Sequence, residues 1–498
     1  MYNIIQLNKK DNIGLAPMPI PKDSQINNFS LISKNEIPYG HKISLDKINK
    51  DSFIFKYGQI IGIATKDILA GEHVHSHNLS FTEFERVYED SKKYETTKIK
   101  KDLYFQGFQR SNGKAGTRNY IGLISTVNCS ATVVKKIADK INSSNEIKKY
   151  SNIDGVVCLK HSSGCGMNTS GFGMKVFNQT IEGFKNHPNF SKVFVVGLGC
   201  ECAQISLYED NNNQIKYLNI QDEGGTKKII EKISSQIIET LPDINKDKRT
   251  KLPISKLVVA LQCGGSDSYS GITANPALGY ASDLIVRHGG STILAETPEI
   301  YGAEHLLIER AANKEIIEKL KKQISWWKNY TEINNGSLDN NPSPGNKKGG
   351  LTTILEKSLG AVAKGGTAMM QDVLNYGEPI KNHGFNFMDS PGYDPVSVTG
   401  QVASGSNLIC FTTGRGSCFG YKPSPSIKIA TNTNMFNKLK DDMDINAGSI
   451  MDGEESIEKI GKIIFNKIID TASGTRTKSE INGYGDDEFN PWIIGATM

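Results

Sequence analysis

The chain has 498 residues, 38% of them hydrophobic, and its 58 basic residues against 53 acidic ones give a net charge of +5. That length predicts two to four domains with proper cores, and so weak and dispersed a positive excess is read as solvated surface, with no nucleic-acid partner. No run of about eighteen apolar residues and no signal-peptide core are found, which predicts no membrane partner and a cytoplasmic protein.

Residues 1–90 alternate short β-prone runs with turn residues, as in "HKISLDKI" and "SFIFKYGQIIGIATKDILAGEHVHSHNL", which predicts a small, looped all-β domain. Near its end, "AGEHVHSHNL" (70–79) sets His73, His75 and His77 at alternate positions. On an extended strand these side chains leave one face together, so three neutral imidazoles can converge on one metal ion. A polar strand face of solvated histidines is the competing reading. A charged stretch begins near residue 83, and the linker is assigned to 91–106.

From 107 onward apolar runs end in Gly, Cys, Ser or Asn and lead into helical patterns, as in "YIGLISTVNCSATVVKKIADKI", "DGVVCLKHSSGCGM", "KVFVVGLGCEC" and "KLVVALQCGGSDSYSG". Such runs suit buried strands of mainly parallel sheets, so the fold class is α/β: the small β-domain, a first α/β domain over 107–250 and a second over 251–498. In sheets of this type ligands bind in the crevice beyond the carboxyl ends of the strands, where these polar residues fall. The eight cysteines are scattered, which predicts reduced thiols and no disulfide framework.

Candidate site residues follow from the strand ends. Arg118, Asn119, Asn128, Cys129 and Ser130 surround one predicted strand, and a guanidinium fork with amides and hydroxyls suits a carboxylate on a polyol. Lys160 and His161 at a second strand end offer an acid and a base, with surface decoration as the bland alternative. "ETPEIYGAEHLL" contributes Glu296, Glu299, Glu304 and His305; Glu296 follows the predicted strand "STILA" and should point into the crevice. Arg415 in "TTGRGSCFG" is a second carboxylate clamp. No P-loop and no dinucleotide fingerprint are found, so neither ATP nor NAD is expected.

Several of these stretches, in order, resemble the altronate and galactarate dehydratases: "GKAGTRNYIGLISTVNCSATV", "KHSSGCGM", "VVGLGCE", "CGGSDSYSGITANPALGYASD", "DSPGYDPVSVTGQVASGSNLICFTTGRGS" and "SPSIKIATNT". The likeness includes the N-terminal "KYGQIIGIATKDILAGEHVHSHNL", which is similar to the family's small SAF-type β-clip domain. The resemblance implies removal of water from a sugar acid to give a 2-keto-3-deoxy acid, with ferrous iron as cofactor and manganous ion as a substitute. It implies that the β-clip domain closes over the active site and lends groups to it. On that footing His73, His75, His77 and Glu296 are the expected metal ligands, Arg118 and Arg415 the carboxylate binders, and Lys160, His161 or His77 the proton carrier. Asn119, Asn128, Cys129 and Ser130 would meet substrate oxygens.

D-altronate, giving 2-keto-3-deoxy-D-gluconate, is the expected substrate; galactarate, with a carboxylate at each end, is the alternative. Other readings are an iron-sulfur dehydratase using Cys165, Cys200 and Cys263, a sulfolactate sulfo-lyase, and a sugar-acid sensor without turnover. The partner expected is a small sugar acid, and a homo-oligomer is left open.

Overall fold

Short antiparallel strands make up the first part of the computed structural model, which describes residues 2–84 and 102–497. Strands β1 (Ile13–Leu15), β2 (Lys42–Ser44) and β5 (His73–Val74) form one sheet, and β3 (Phe53–Lys56), β4 (Gln59–Ala64) and β6 (Leu79–Ser80) a second. The β3-β4 hairpin turns through Tyr57 and Gly58, both at positive φ (61° and 72°), and the Asp11 carboxylate accepts both of their N–H groups. Ile13, Ile48, Ile54, Ile61 and Ile68 pack in the same cluster as Leu257, Leu278 and Ile354, so one core runs from this domain into the large part.

The linker assigned to 91–106 lies largely outside the described residues. Its last residues belong to a strand, Tyr104–Gln109, that pairs antiparallel with Ala115–Gly116 and with Thr250–Pro253, so the break assigned after residue 250 falls within a sheet.

The middle part is a four-stranded parallel sheet of β7 (Tyr120–Ser125), β8 (Gly155–Leu159), β9 (Phe190–Gly197) and β10 (Ile215–Asn219), in the order β8-β7-β9-β10. Helices α1 (Asn128–Ser143) and α3 (Thr226–Ile244) cover one face. The spacing of Ile229, Ile233, Ile237, Leu241 and Ile244 explains why α3 buries a single stripe. Helix α2 (Phe172–Lys185) covers the other face.

The last part is a seven-stranded, all-parallel sheet. Its strands are β11 (Val258–Cys263), β12 (Ser291–Ala295), β13 (Met370–Leu374), β14 (Phe385–Met388), β15 (Leu408–Thr413), β16 (Ser426–Ala430) and β17 (Ile445–Asn446), ordered β13-β14-β12-β11-β15-β16-β17. The chain leaves β11 toward β12 and later returns to its other side as β15, so the strand order reverses beside β11. Around this sheet lie α4 (Ala274–Arg287), α5 (Lys314–Ile333), α6 (Pro344–Lys348), α7 (Ile354–Val362), α8 (Asp394–Ala403) and α9 (Ile457–Ala472). No helix among the described residues is long and apolar enough to cross a membrane.

Candidate functional site

At the carboxyl end of β11, Cys263 is followed by Gly264 and Gly265. The first glycine is required by a close approach: a Cβ there would lie 2.0 Å from Asp394 Oδ2. Beside it β12 ends at Ala295, and Glu296 takes a left-handed conformation (φ 78°, ψ 75°) that is costly for a residue with a Cβ. Ser390 Oγ accepts the Glu296 N–H (3.1 Å), and Gln262 Nε2 donates to Glu296 Oε1 (2.7 Å). Glu299 follows one short turn later, placing Cys263, Glu296 and Glu299, all buried, with ligand atoms within 4.8 Å of one another.

Two lysines face this group. Lys364 Nζ donates to Cys263 Sγ (2.8 Å), and Lys357 Nζ to Glu299 Oε1 and to Asn341 Oδ1 (2.7 Å each). Asn341 Nδ2 also donates to Glu299 Oε1 (2.6 Å). The two carboxyl groups are driven apart in acidity. Burial and the neighbouring Glu299 charge push Glu296 well above the usual carboxylate range. Glu299 is buried too, yet Lys357 and Lys364 hold it below that range. Burial pushes the Cys263 thiol up to about 11, and burial with the Glu299 charge raises Asp394, at the start of α8, to about 6. A crevice of about 420 Å³ opens onto these groups, lined by Glu299, Asn341, Lys357 and Asp394 with Gly264, Gly265, Trp327 and Asn346.

Of the donors expected from sequence, Glu296 lies here and the histidines do not. The chain is extended only through His73–Val74; it then turns, with the N–H groups of Asn78 and Leu79 both donating to His75 O. The rings of His73, His75 and His77 gather nonetheless, with His41 added from the end of the loop before β2, at centroid separations of 4.8–5.6 Å. His75 Nε2 donates to Lys347 O (2.9 Å) and His41 Nε2 to Lys348 O (3.3 Å), which caps the carboxyl end of α6; His73 Nε2 then donates to His41 Nδ1 (3.0 Å). Burial and the surrounding positive groups lower His73 to about 3 and His75 to about 4. Helix α6 rises about 7 Å over its five residues and separates this cluster from the crevice, whose wall holds Asn346 and Ser343. Among the described residues the histidines form no close set of three donors.

Arg118 and Asn119 precede β7 and so sit at its amino end, about 20 Å of strand away from Asn128, Cys129 and Ser130 at its carboxyl end. Arg118 is 2% exposed and fully engaged, donating to both carboxylate oxygens of Glu480 (2.6 and 2.8 Å) and to Thr117 O, Thr471 O and Thr475 O. Asn119 joins Arg110, Asn152 and Asp154. His161 is buried against Phe177; its Nε2 donates to Ser125 O and its Nδ1 accepts the Ser163 N–H, so both ring nitrogens are taken. Lys160 pairs with Asp487 (2.6 Å) at the surface. Asn128 and Cys129 are exposed, while Ser130 Oγ donates to Val196 O. These residues border the middle sheet and line no part of the crevice. Arg415 does border it: its exposed side chain runs past Gly265 and Gly349, and the guanidinium bonds to none of the described residues.

Lys357, Lys364, Asn341 and Asp394 were not legible as site residues. The two lysines sit seven apart in "ILEKSLGAVAK", where both fall on one face of an otherwise small and apolar helix; that pattern was the available signal.

The comparisons with known proteins cover the whole arrangement. Residues 2–82 match the altronate/galactarate dehydratase SAF domain, 107–245 the D-galactarate dehydratase/altronate hydrolase second domain, and 254–497 the D-galactarate/altronate dehydratase C-terminal domain. The chain is 35% identical to an altronate dehydratase of Bacillus subtilis over 97% of its own length and 98% of that protein's. It is 38% identical to a galactarate dehydratase (L-threo-forming) of Escherichia coli over 88% of this chain and 87% of the other. An altronate dehydratase of Escherichia coli is 32% identical over 96% and 97%. With all three domains matched in order and relatives aligned end to end, the chain belongs to the altronate/galactarate dehydratase family and carries that family's N-terminal SAF domain.

Proposed function

We propose that this protein is a hydro-lyase that removes water from D-altronate to give 2-keto-3-deoxy-D-gluconate, working in the crevice beyond β11 and β12. The observation that carries the reading is the buried pair Glu296 and Glu299, set against Lys357 and Lys364, with burial and the Glu299 charge pushing Glu296 above the usual carboxylate range and the two lysines holding Glu299 below it. A hydrogen α to a carboxylate is weakly acidic, so its removal needs a base and fixed positive charge for the electron density that develops, and the departing hydroxyl needs a proton. Lys357 and Lys364 supply the charge, Asp394 on the crevice wall and Glu296, buried within 4.8 Å of the wall residue Glu299, are the proton carriers, and Asn341 orients an oxygen. Arg415 at the mouth suits the substrate carboxylate as it enters.

The donor set fits a divalent ion. Glu296 Oε2 is buried without a hydrogen-bond partner, and one thiol with two carboxylates suits a borderline ion such as ferrous iron, or manganous ion in its place. Such an ion would be held by Cys263, Glu296 and Glu299 and would supply Lewis-acid polarisation of a substrate oxygen. Galactarate is the second reading, favoured by the 38% identity to the Escherichia coli galactarate dehydratase. An anaerobic assay of aldonates and aldarates with ferrous iron decides between them: the expected result is highest kcat/KM on D-altronate. Preference for galactarate would establish the second reading, and no turnover of any sugar acid would remove both.

A further inference from the structure

We infer that Cys129, Cys165 and Cys200 form a binding site for an iron-sulfur cluster at the carboxyl edge of the β8-β7-β9-β10 sheet. Each thiol follows a different, neighbouring strand: Cys129 in the first turn of α1 after β7, Cys165 on the loop after β8 and Cys200 on the loop after β9. The strand order reverses between β7 and β9, the position in an open parallel sheet where ligands bind. The crevice described above belongs to the other sheet, so this site stands apart from the dehydratase reading.

The three loops are fastened to one another. Asn128 N–H donates to Ser163 O (2.9 Å), Ala203 N–H to Gly164 O (3.1 Å), and Thr126 Oγ1 to Glu201 Oε1 (2.6 Å). Glu201 is 3% exposed and also accepts the N–H groups of Leu198 and Gly199, which folds the segment just before Cys200. Gly164 and Gly166 have φ of 102° and 67°, so the chain turns sharply on both sides of Cys165; a Cβ at Gly164 would meet Thr126 O at 2.1 Å.

Exposure separates these thiols from their neighbours. Cys129, Cys165 and Cys200 are exposed, whereas Cys202 and Cys158 are half-buried against apolar clusters on the two faces of the sheet. Cys129 is the second residue of α1, and Gln221 Nε2 donates to Cys200 Sγ (3.5 Å), a contact of the kind that tunes a ligating sulfur. Thiolates select zinc, cuprous ion or iron-sulfur clusters. A single tetrahedral ion draws its sulfur ligands within about 4 Å of one another. Among the described residues these thiols make no such close set, the three-donor group being Cys263, Glu296 and Glu299. Thiols contributed from three separate strand ends suit the larger body of a cluster, whose sulfur ligands bind different irons. Three thiolates leave one iron of a four-iron cluster open to an oxygen ligand, such as the hydroxyl or carboxylate of a hydroxy acid.

The test uses the full chain, purified anaerobically and reconstituted with ferrous iron and sulfide, with iron, acid-labile sulfide and visible absorbance measured per chain. About four iron and four sulfide per chain are expected. C129S, C165S and C200S should each lose most of the sulfide and colour, while C418S, an exposed thiol on the other sheet, should keep both. Binding of iron or zinc without sulfide, sulfide retained by the triple serine variant, or equal loss in C418S would overturn the proposal.

Discussion

Arg118 and Arg415 present the same fork of donors to opposite surroundings. Arg118 is spent on Glu480 and three carbonyls of the C-terminal segment, whereas Arg415 is exposed beside the crevice. Arg118→Ala should therefore cost about 3–5 kcal/mol in stability by leaving Glu480 without its partner, with KM for the sugar acid unchanged in the folded fraction. Arg415→Ala should melt like the wild type and lose about 30- to 150-fold in kcat/KM, as expected for about 2–3 kcal/mol of charged hydrogen bonding. Thermal melts and steady-state kinetics on both variants check this, and the opposite pattern would exchange the two roles. His161 offers a test of pH dependence. Burial lowers it to about 4, against about 6.5 in an unfolded chain. Between those values the unfolded chain takes up a proton that the folded chain refuses, so this contribution is complete above pH ~6.5 and is lost as pH falls toward 4. At full value it is about 3 kcal/mol. His161→Gln should flatten the acid side of the stability profile between pH 7 and 5, measured by denaturant midpoints; an unchanged slope would mean the imidazole is not held neutral.

Helix α7 ties the small domain to the crevice through two adjacent residues. All nine of its residues are buried. Glu356 meets Lys56 (2.8 Å) and Lys42 (2.9 Å) from the β-domain, and the next residue, Lys357, meets Glu299. Although burial opposes ionisation, the two lysines hold Glu356 ionised, and burial lowers Lys42 to about 8. Lys56→Met removes one cation from a dry carboxylate and should destabilise by about 3–5 kcal/mol, with turnover falling as α7 loosens. A melt and a kcat equal to wild type would make the β-domain a passenger. Sequence pattern shows Glu296 because it directly follows the apolar run "STILA", a strand signal with a polar end. The histidines are visible as a cluster, yet the strand that would aim them stops at Val74, because the Asn78 side chain accepts the His75 N–H and donates to His73 O. Lys357 and Lys364 look like surface lysines until α7, which carries the first, and the turn after it, which carries the second, are seen to be buried.

At the scale of the whole molecule, the parallel sheets are readable because strands buried on both faces appear as near-continuous apolar runs. Their order is not, since Val259 pairs with Leu408 across about 150 residues and no local pattern encodes that choice. The same long-range pairing assembles the site from Cys263, Glu296, Asn341, Lys357 and Asp394, which are far apart in the chain. The dehydration is assigned to this crevice, and Glu296→Gln tests that assignment most directly. Glutamine matches the carboxyl group in shape, can keep the Gln262 contact and adds no charge at a site where burial already disfavours the carboxylate, so the variant should fold with a melting temperature near wild type. Turnover of D-altronate with ferrous iron, followed as 2-keto-3-deoxy acid, should then fall by about 100-fold or more in kcat. A folded variant that turns over at the wild-type rate would contradict the assignment and move the chemistry away from β11 and β12.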